Sequence, residues 1–200
     1  MLKIIAAPNP ILSQSARLVL RVDERILGLI KEMKKTLLSA KDPEGVGLAA
    51  PQVGKLLSLF IAKPKPKSSI QVFINPKVIA NEKHLTTNRL EVSGKKLGVS
   101  SQKLEVRSQK SKVSKLEGCL SLQNIWGEVK RNPQITASYL DGRENSHTKV
   151  FKGFMATIIQ HETDHLNGIL FPKRVLEQNG KLYKSKKNEK GEDIFEEIEV

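Results

Sequence analysis

The stretch from Gly153 to Leu166 constrains the fold most. Its apolar residues Phe154, Met155, Ile158, Ile159 and Leu166 recur at helical spacing, which predicts an amphipathic helix with one face on a core. Asn167-Gly168 follows, a pair that tolerates the left-handed conformation in which helices end. His161 and His165 lie one turn apart, on or beside the inward face. Two imidazoles turned toward a core need partners, because an unpaired buried polar group is costly. A divalent ion shared by the two meets that need, and Glu162 beside them would reach a water at the ion. The His-Glu-x-x-His pentad alone is weak support, since a polar helix end with solvated side chains carries the same letters. The rest of the chain must supply a third ligand and a place for a substrate.

The third ligand has one natural source. The chain contains a single cysteine, Cys119 in "EGCLS", so no intrachain disulfide is possible. A lone cysteine is usually a small buried apolar residue. A thiolate is nevertheless a strong donor to a borderline-soft divalent ion, and Gly118 would let the backbone come close. A metal site of this kind needs three protein ligands and an open position. A place for substrate is suggested by "GVGLAAPQVG" at 45–54, where Gly45 and Gly47 would free a backbone edge for a peptide to pair with. Gln52 in that stretch offers a side-chain hydrogen bond.

The remaining patterns describe a mixed chain. Apolar residues at Ile26, Leu29, Ile30, Met33, Leu37 and Leu38 behind Asp23, an N-cap, predict a helix over 23–40. Residues 56–62, 70–74, 134–140 and 147–151 read as strands, the last two joined by a "DGREN" turn, and Val78-Ile79 extends the second beyond a kink at Asn75-Pro76. The start, "APNPILSQSA", reads as an extended or turning arm, and the tail around "KNEKGED" as a β-hairpin. Two hundred residues suit one domain. No apolar run approaches the roughly 18 residues of a membrane helix and the N-terminus does not begin a secretion signal, so a cytoplasmic protein is expected.

One segment stands apart. "RLEVSGK", "KLGVSSQ" and "KLEVRSQ" repeat Leu-x-Val every seven residues, with leucines at 90, 97 and 104. Apolar residues two apart follow strand spacing, not the three-and-four spacing of a coiled coil. Residues 81–116 hold nine Lys or Arg against three Asp or Glu, nearly half of the net charge of +13. Such charge invites a polyanion such as RNA. With no aromatic residue interleaved for base stacking, an exposed insertion made by repeat expansion fits better than a specific RNA-binding arm.

Taken together, Gly45–Gln52, Glu117-Gly118-Cys119-Leu120-Ser121 and Gln160–His165 resemble the peptide deformylases, as do "APNPILSQSA" and "HLNGILF". The resemblance covers roughly residues 2–80 and 117–175. It implies an α+β fold of one domain, with mixed or antiparallel sheets around a central metal-binding helix. Residues 1–175 would be the catalytic part, interrupted by 81–116, with 176–200 as a C-terminal hairpin. The implied activity is hydrolysis of the formyl group of N-formylmethionine on new polypeptides. The implied cofactor is one Fe²⁺ held by Cys119, His161 and His165, for which Zn²⁺, Ni²⁺ or Co²⁺ can substitute. Glu162 would carry the proton, and Gln52 with the Leu120 N–H would meet the oxyanion. Gly47 would hold the peptide, and Val46, Phe154 and Ile158 would receive the methionine side chain, although plain core packing accounts for these three equally well. Glu117 and Arg131 match a structural ion pair. Trp126 is assigned to the core, with the substrate cleft as the alternative. The partners implied are formylmethionyl nascent chains close to the ribosome, with no membrane. The ribosome-docking C-terminal helix of some relatives is missing and cannot be carried over. A metallopeptidase would share the pentad without needing Cys119 or Gln52, and a basic RNA-binding protein with a decayed site would not keep all five polar residues.

Overall fold

The computed structural model describes residues 1–41, 44–80, 113–187 and 193–199. Among these residues three α-helices and nine strands are arranged as two antiparallel sheets around one central helix, as expected for the α+β class. The Leu-x-Val repeats lie outside the described residues.

The N-terminal helix α1 (Glu24–Ser39) starts where the sequence predicts, with the Asp23 carboxylate accepting from the Ile26 N–H at 3.0 Å. The first sheet has the order β1 (Gly47–Ala49), β2 (Leu59–Ala62), β3 (Gln71–Ala80), β6 (Gln134–Leu140) and β7 (Ser146–Lys152). β3 absorbs both predicted pieces into one strand. Its irregularity falls between Ile74 and Lys77, where Asn75 adopts φ 50° and its amide bonds both backbone groups of Val19, at 2.8 and 2.9 Å. Strand β2 is shorter than expected, because residues 56–58 bridge the N-terminal arm around Arg17. Of the two forms expected for that arm, extended or turning, Pro10–Ser13 take the second, a 3-10 turn capped by Asn9.

Helix α2 (Gly153–Leu166) buries Ala156, Ile158, Ile159 and Leu166 on one face of this sheet, against Phe60, Phe73 and Ile135. On the other face lies α1, with Met33 and Leu37 against Leu48, Leu59 and Ile61. Strand β2 is therefore buried on both sides, which is why it reads as a continuous apolar run and not as an alternation.

The second sheet was not foreseen as such. It has the order β4 (Val113–Cys119), β5 (Leu122–Arg131), β8 (Leu182–Lys187) and β9 (Asp193–Ile198), and a short helix α3 (Phe171–Glu177) covers its inner face with Phe171 and Val175. Val113 to Leu116, counted with the insertion by the repeat pattern, thus run in the strand that carries Cys119. The antiparallel β8–β9 pair is the anticipated tail hairpin. Among the described residues no helix is long and apolar enough to cross a membrane.

Candidate metal centre and substrate cleft

The two sheets bring three chemically distinct segments to one place. His161 and His165 come from the buried side of α2 and Cys119 from the end of β4. One ligand atom from each lies within 4.8 Å of the others. Cys119 Sγ is 3.2 Å from His165 Nε2. His161 Nδ1 is 3.0 Å from Glu117 Oε2, which leaves Nε2 as the ring nitrogen on the side of Cys119. His165 Nε2 thus faces the thiol, and its Nδ1 is buried with no hydrogen-bond partner among the described residues. A thiol and two imidazoles form a donor set for a borderline transition metal such as iron, cobalt, nickel or zinc. The residues fit such an ion.

The electrostatics agree with that fit. Burial alone would push the Cys119 thiol up, but His165 and His161 beside it outweigh burial and hold it well below the ordinary thiol range. Burial would push His161 down, and Cys119 and Glu117 instead hold it well above the usual histidine range. Glu117 is itself buried, which raises its carboxyl, yet His161 and Arg131 draw it down to about 2. The site thus favours thiolate and carboxylate together with whatever positive charge stands at the imidazoles.

Glu162 is 4% exposed, and its Oε2 has no hydrogen-bond partner among the described residues. Burial pushes its carboxyl up to about 7, against the pull of His161 and His165. Its other oxygen packs on the backbone of β1: a Cβ added at Gly47 would collide with Glu162 Oε1. Glycine at 47 is therefore required to seat the carboxylate, a reason the sequence does not reveal. β1 is also an edge strand of its sheet, so the expectation of a free backbone edge holds for Gly47. The Gly45 N–H is instead taken by the Ala40 carbonyl at 3.2 Å, and a side chain there would meet the Leu37 carbonyl at 2.6 Å.

Gln52 is buried in a 3-10 turn (Ala50–Val53). Its Oε1 accepts from the Ala49 N–H at 2.8 Å, and its Nε2 donates to Ser121 Oγ at 3.2 Å and, more weakly, to Cys119 Sγ at 3.5 Å. Ser121 was missed as a site residue although it lies inside "EGCLS". Its N–H reaches Cys119 Sγ at 3.4 Å and its carbonyl accepts from Ala7 at 2.8 Å.

A cavity of about 300 Å³ opens beside this cluster. Val46, Gly47, Gln52, Cys119, Leu120, Phe154, Ile158, His161 and Glu162 all line it, whereas His165 sits behind. Ile158 is at once core and cavity wall, Val46 packs against the same core, and Phe154 stands at the rim, 46% exposed. Trp126, Leu116 and Thr157 also line the cavity. Trp126, assigned to the core by its sequence, is only half-buried and lines the cavity, so that assignment is corrected to the cleft.

Behind the cluster runs a chain of buried ion pairs. Arg131 donates from Nε and Nη2 to the Glu117 carboxylate, both at 2.9 Å, and from Nη1 to Asp164 at 2.6 Å. Asp164 also receives Arg174 Nη2 at 2.7 Å. The Glu117–Arg131 pair matches the expectation. Asp164 and Arg174 were overlooked, the first hidden as an unspecified position of the pentad and the second on a helix the sequence did not announce.

Comparison with known proteins leads to one family. The family model described as polypeptide deformylase matches residues 1–181. The chain is similar to a peptide deformylase of Agrobacterium fabrum (30% identity over 171 residues, 84% of this chain and 83% of that protein). It is also similar to peptide deformylase 1 of Bacillus cereus (34% over 179 residues, 87% and 92%). Among solved structures it resembles the peptide deformylase of Thermotoga maritima, with a TM-score of 0.66 at 28% identity, covering 88% of this chain and 97% of that one. A Synechococcus elongatus peptide deformylase in complex with actinonin gives a TM-score of 0.65 at 32% identity, covering 89% and 82%.

Proposed function

The chain belongs to the peptide deformylase family, and from that membership we propose how its own residues divide the work of the reaction. The enzyme removes the formyl group from N-formylmethionine of newly synthesised polypeptides and releases formate and a free amine. The family is one of metalloenzymes. In this chain Cys119, His161 and His165 would hold one divalent ion, and we infer Fe²⁺, with Zn²⁺, Ni²⁺ or Co²⁺ as substitutes. When bound, the ion supplies Lewis acidity to the formyl carbonyl and lowers the pKa of water. Because Zn²⁺ generally binds such donors more tightly than Fe²⁺, loading with iron depends on supply and not on affinity.

Glu162 takes the proton of the attacking water and passes it to the departing amine. Gly47 leaves it room to stand there, and among the described residues no donor competes for Oε2. The Gln52 amide and the Leu120 N–H serve the oxyanion as donors fixed in advance. Both Gln52 N–H groups already have acceptors, so this role requires the long 3.5 Å contact to sulfur to open. The substrate backbone adds to the free edge of β1 at Gly47, and the methionine side chain enters between Val46, Phe154 and Ile158. Residues 1–175 act as the catalytic unit and 176–200 as an appended hairpin; the insertion placed at 81–116 by its sequence is cut back to 81–112 by the course of β4, and 81–112 has no part in the chemistry. The setting proposed is the cytoplasm, near ribosomes, with RNA contact through the basic insertion of a non-specific kind.

The observation that carries this reading is the Cys119–His161–His165 triangle, of which Cys119 and His161 line the same cavity as Glu162 while His165 stands behind them. A metallopeptidase would leave the thiol without a role. Formate release from formyl-Met-Ala-Ser under anaerobic conditions with Fe²⁺ tests it. Cleavage of internal peptide bonds without formate would reject it.

A further inference from the structure

We propose that the β8–β9 hairpin builds a second apolar subsite, a shelf of Leu116, Trp126 and Phe195 that takes a large apolar side chain from one of the two residues after formylmethionine. The inference rests on the deformylase reading for its occupant. It rests on the register of the four-stranded sheet for its geometry.

Gly118 pairs with Trp126, Trp126 with Tyr183, and Ser185 with Phe195. Side chains alternate along strands, so Leu116, Trp126, Ser185 and Phe195 share one face of this sheet. That face is turned away from Phe171 and Val175 of α3, which pack on Gly127. Three contacts fix the indole there. Its Nε1 donates to Ser185 Oγ at 3.2 Å. The Phe195 ring meets it edge-on, with centroids 5.8 Å apart at 86°. A Cβ on Gly118 would come within 2.9 Å of Trp126 Cζ3, so the ring lies directly across the backbone of β4. Trp126 is thus clamped by the hairpin on one side and by β4 on the other.

The shelf is continuous with the catalytic cleft. Trp126 and Leu116 line the same cavity as Cys119 and Glu162. Leu116 and Phe195 are each 42% exposed, large apolar surfaces with nothing covering them among the described residues. β4 is an edge strand, as β1 is, so a peptide laid along the cleft as an extra strand runs past Leu116 and Trp126 as it leaves the cavity. Trp126 touches that peptide; Phe195 and Ser185 act through Trp126 and are positioning residues.

The test uses the Fe²⁺-loaded full chain and three peptides, formyl-Met-Gly-Gly, formyl-Met-Phe-Gly and formyl-Met-Gly-Phe. Wild type should favour one of the Phe peptides by about three- to tenfold, in KM more than kcat, the size expected of an aromatic contact. In Phe195→Ala that ratio should fall toward one with metal content unchanged, and Phe195→Tyr should restore it. Trp126 is the only tryptophan, so its emission reports the clamp directly. It should shift in Phe195→Ala and in Ser185→Ala, and the preferred peptide should perturb it in wild type. Ser185→Ala carries the test if Phe195→Ala fails to fold. Equal rates for all three peptides, or an unchanged ratio and emission in the variants, overturn the shelf. No formate from any peptide would instead reject the deformylase reading, and emission changes on adding Met-Phe-Gly or Met-Gly-Phe would still report on the shelf.

Discussion

Gly47 and Glu162 show most directly how single residues define this site. The Glu162 carboxylate sits where a side chain at position 47 would be, so the two positions are coupled without a hydrogen bond. Gly47→Ala should displace the carboxylate while leaving Cys119, His161 and His165 in place. The expected result is near-stoichiometric metal by elemental analysis, with turnover slowed by roughly a hundredfold or more, similar to Glu162→Gln. A variant with normal rate would show that the carboxylate position is not critical. Cys119→Ala is the complementary case. Removing the thiolate leaves two imidazoles, so metal and activity should be lost together, and full metal occupancy would exclude Cys119 as a ligand. These outcomes separate the proton carrier from the ligands.

At the level of elements, the chain Glu117–Arg131–Asp164–Arg174, buried as far as Asp164, ties β4, β5, α2 and α3 together behind the metal centre. Arg131 is 8% exposed and forks onto Glu117, which in turn fixes the tautomer and angle of His161. Arg131→Met should leave two carboxylates short of a cation, at a cost of about 3–5 kcal/mol. The melting temperature should drop by roughly 6–20 °C. Metal affinity should fall by about 10–100-fold as His161 loses its orienting partner. Unchanged melting and metal affinity would mean that Arg174 and His161 suffice for the two acids. This layer is where the sequence was least legible. The helices α1 and α2 carry caps and a 3.6-residue stripe, and the pentad, Cys119 and Gln52 have chemistry that names them. β4 and β5 alternate weakly, because glycines at 118 and 127 make room for Trp126 and for Phe171 and Val175, and so leave gaps in the pattern. α3 is seven residues long, too short for periodicity to declare itself. Asp164 and Gly47 matter through what lies across from them in space, which one strand or helix read alone cannot show.

At the scale of the whole molecule, the question is how a basic segment of thirty-odd residues enters a compact enzyme without disturbing the cysteine strand that follows it. The sheet registers limit the gap it spans. Ala80, the end of β3, pairs with Ile135, and Val113, the start of β4, pairs with Arg131. Arg131 and Ile135 are only four residues apart in the chain, so they lie within about 14 Å of each other. Adding one strand spacing of about 5 Å on each side puts Ala80 and Val113 within roughly 25 Å. About eight residues of extended chain cover that distance. Replacing 81–112 with an eight-residue Gly/Ser linker should therefore keep both registers and the cysteine strand. Loop closure is not the obstacle, since halving a loop's length changes its cost by only about 0.6 kcal/mol. The expected outcome is metal content equal to the parent's and formate release within a fewfold of it. The replacement removes eight Lys or Arg and three Asp or Glu, lowering the net charge from +13 to +8. Retention on RNA at low salt should weaken accordingly, and its dependence on salt should become shallower. A shortened protein that folds but loses its metal would mean that the insertion supports Cys119, and the segment would then belong to the site and not to the periphery.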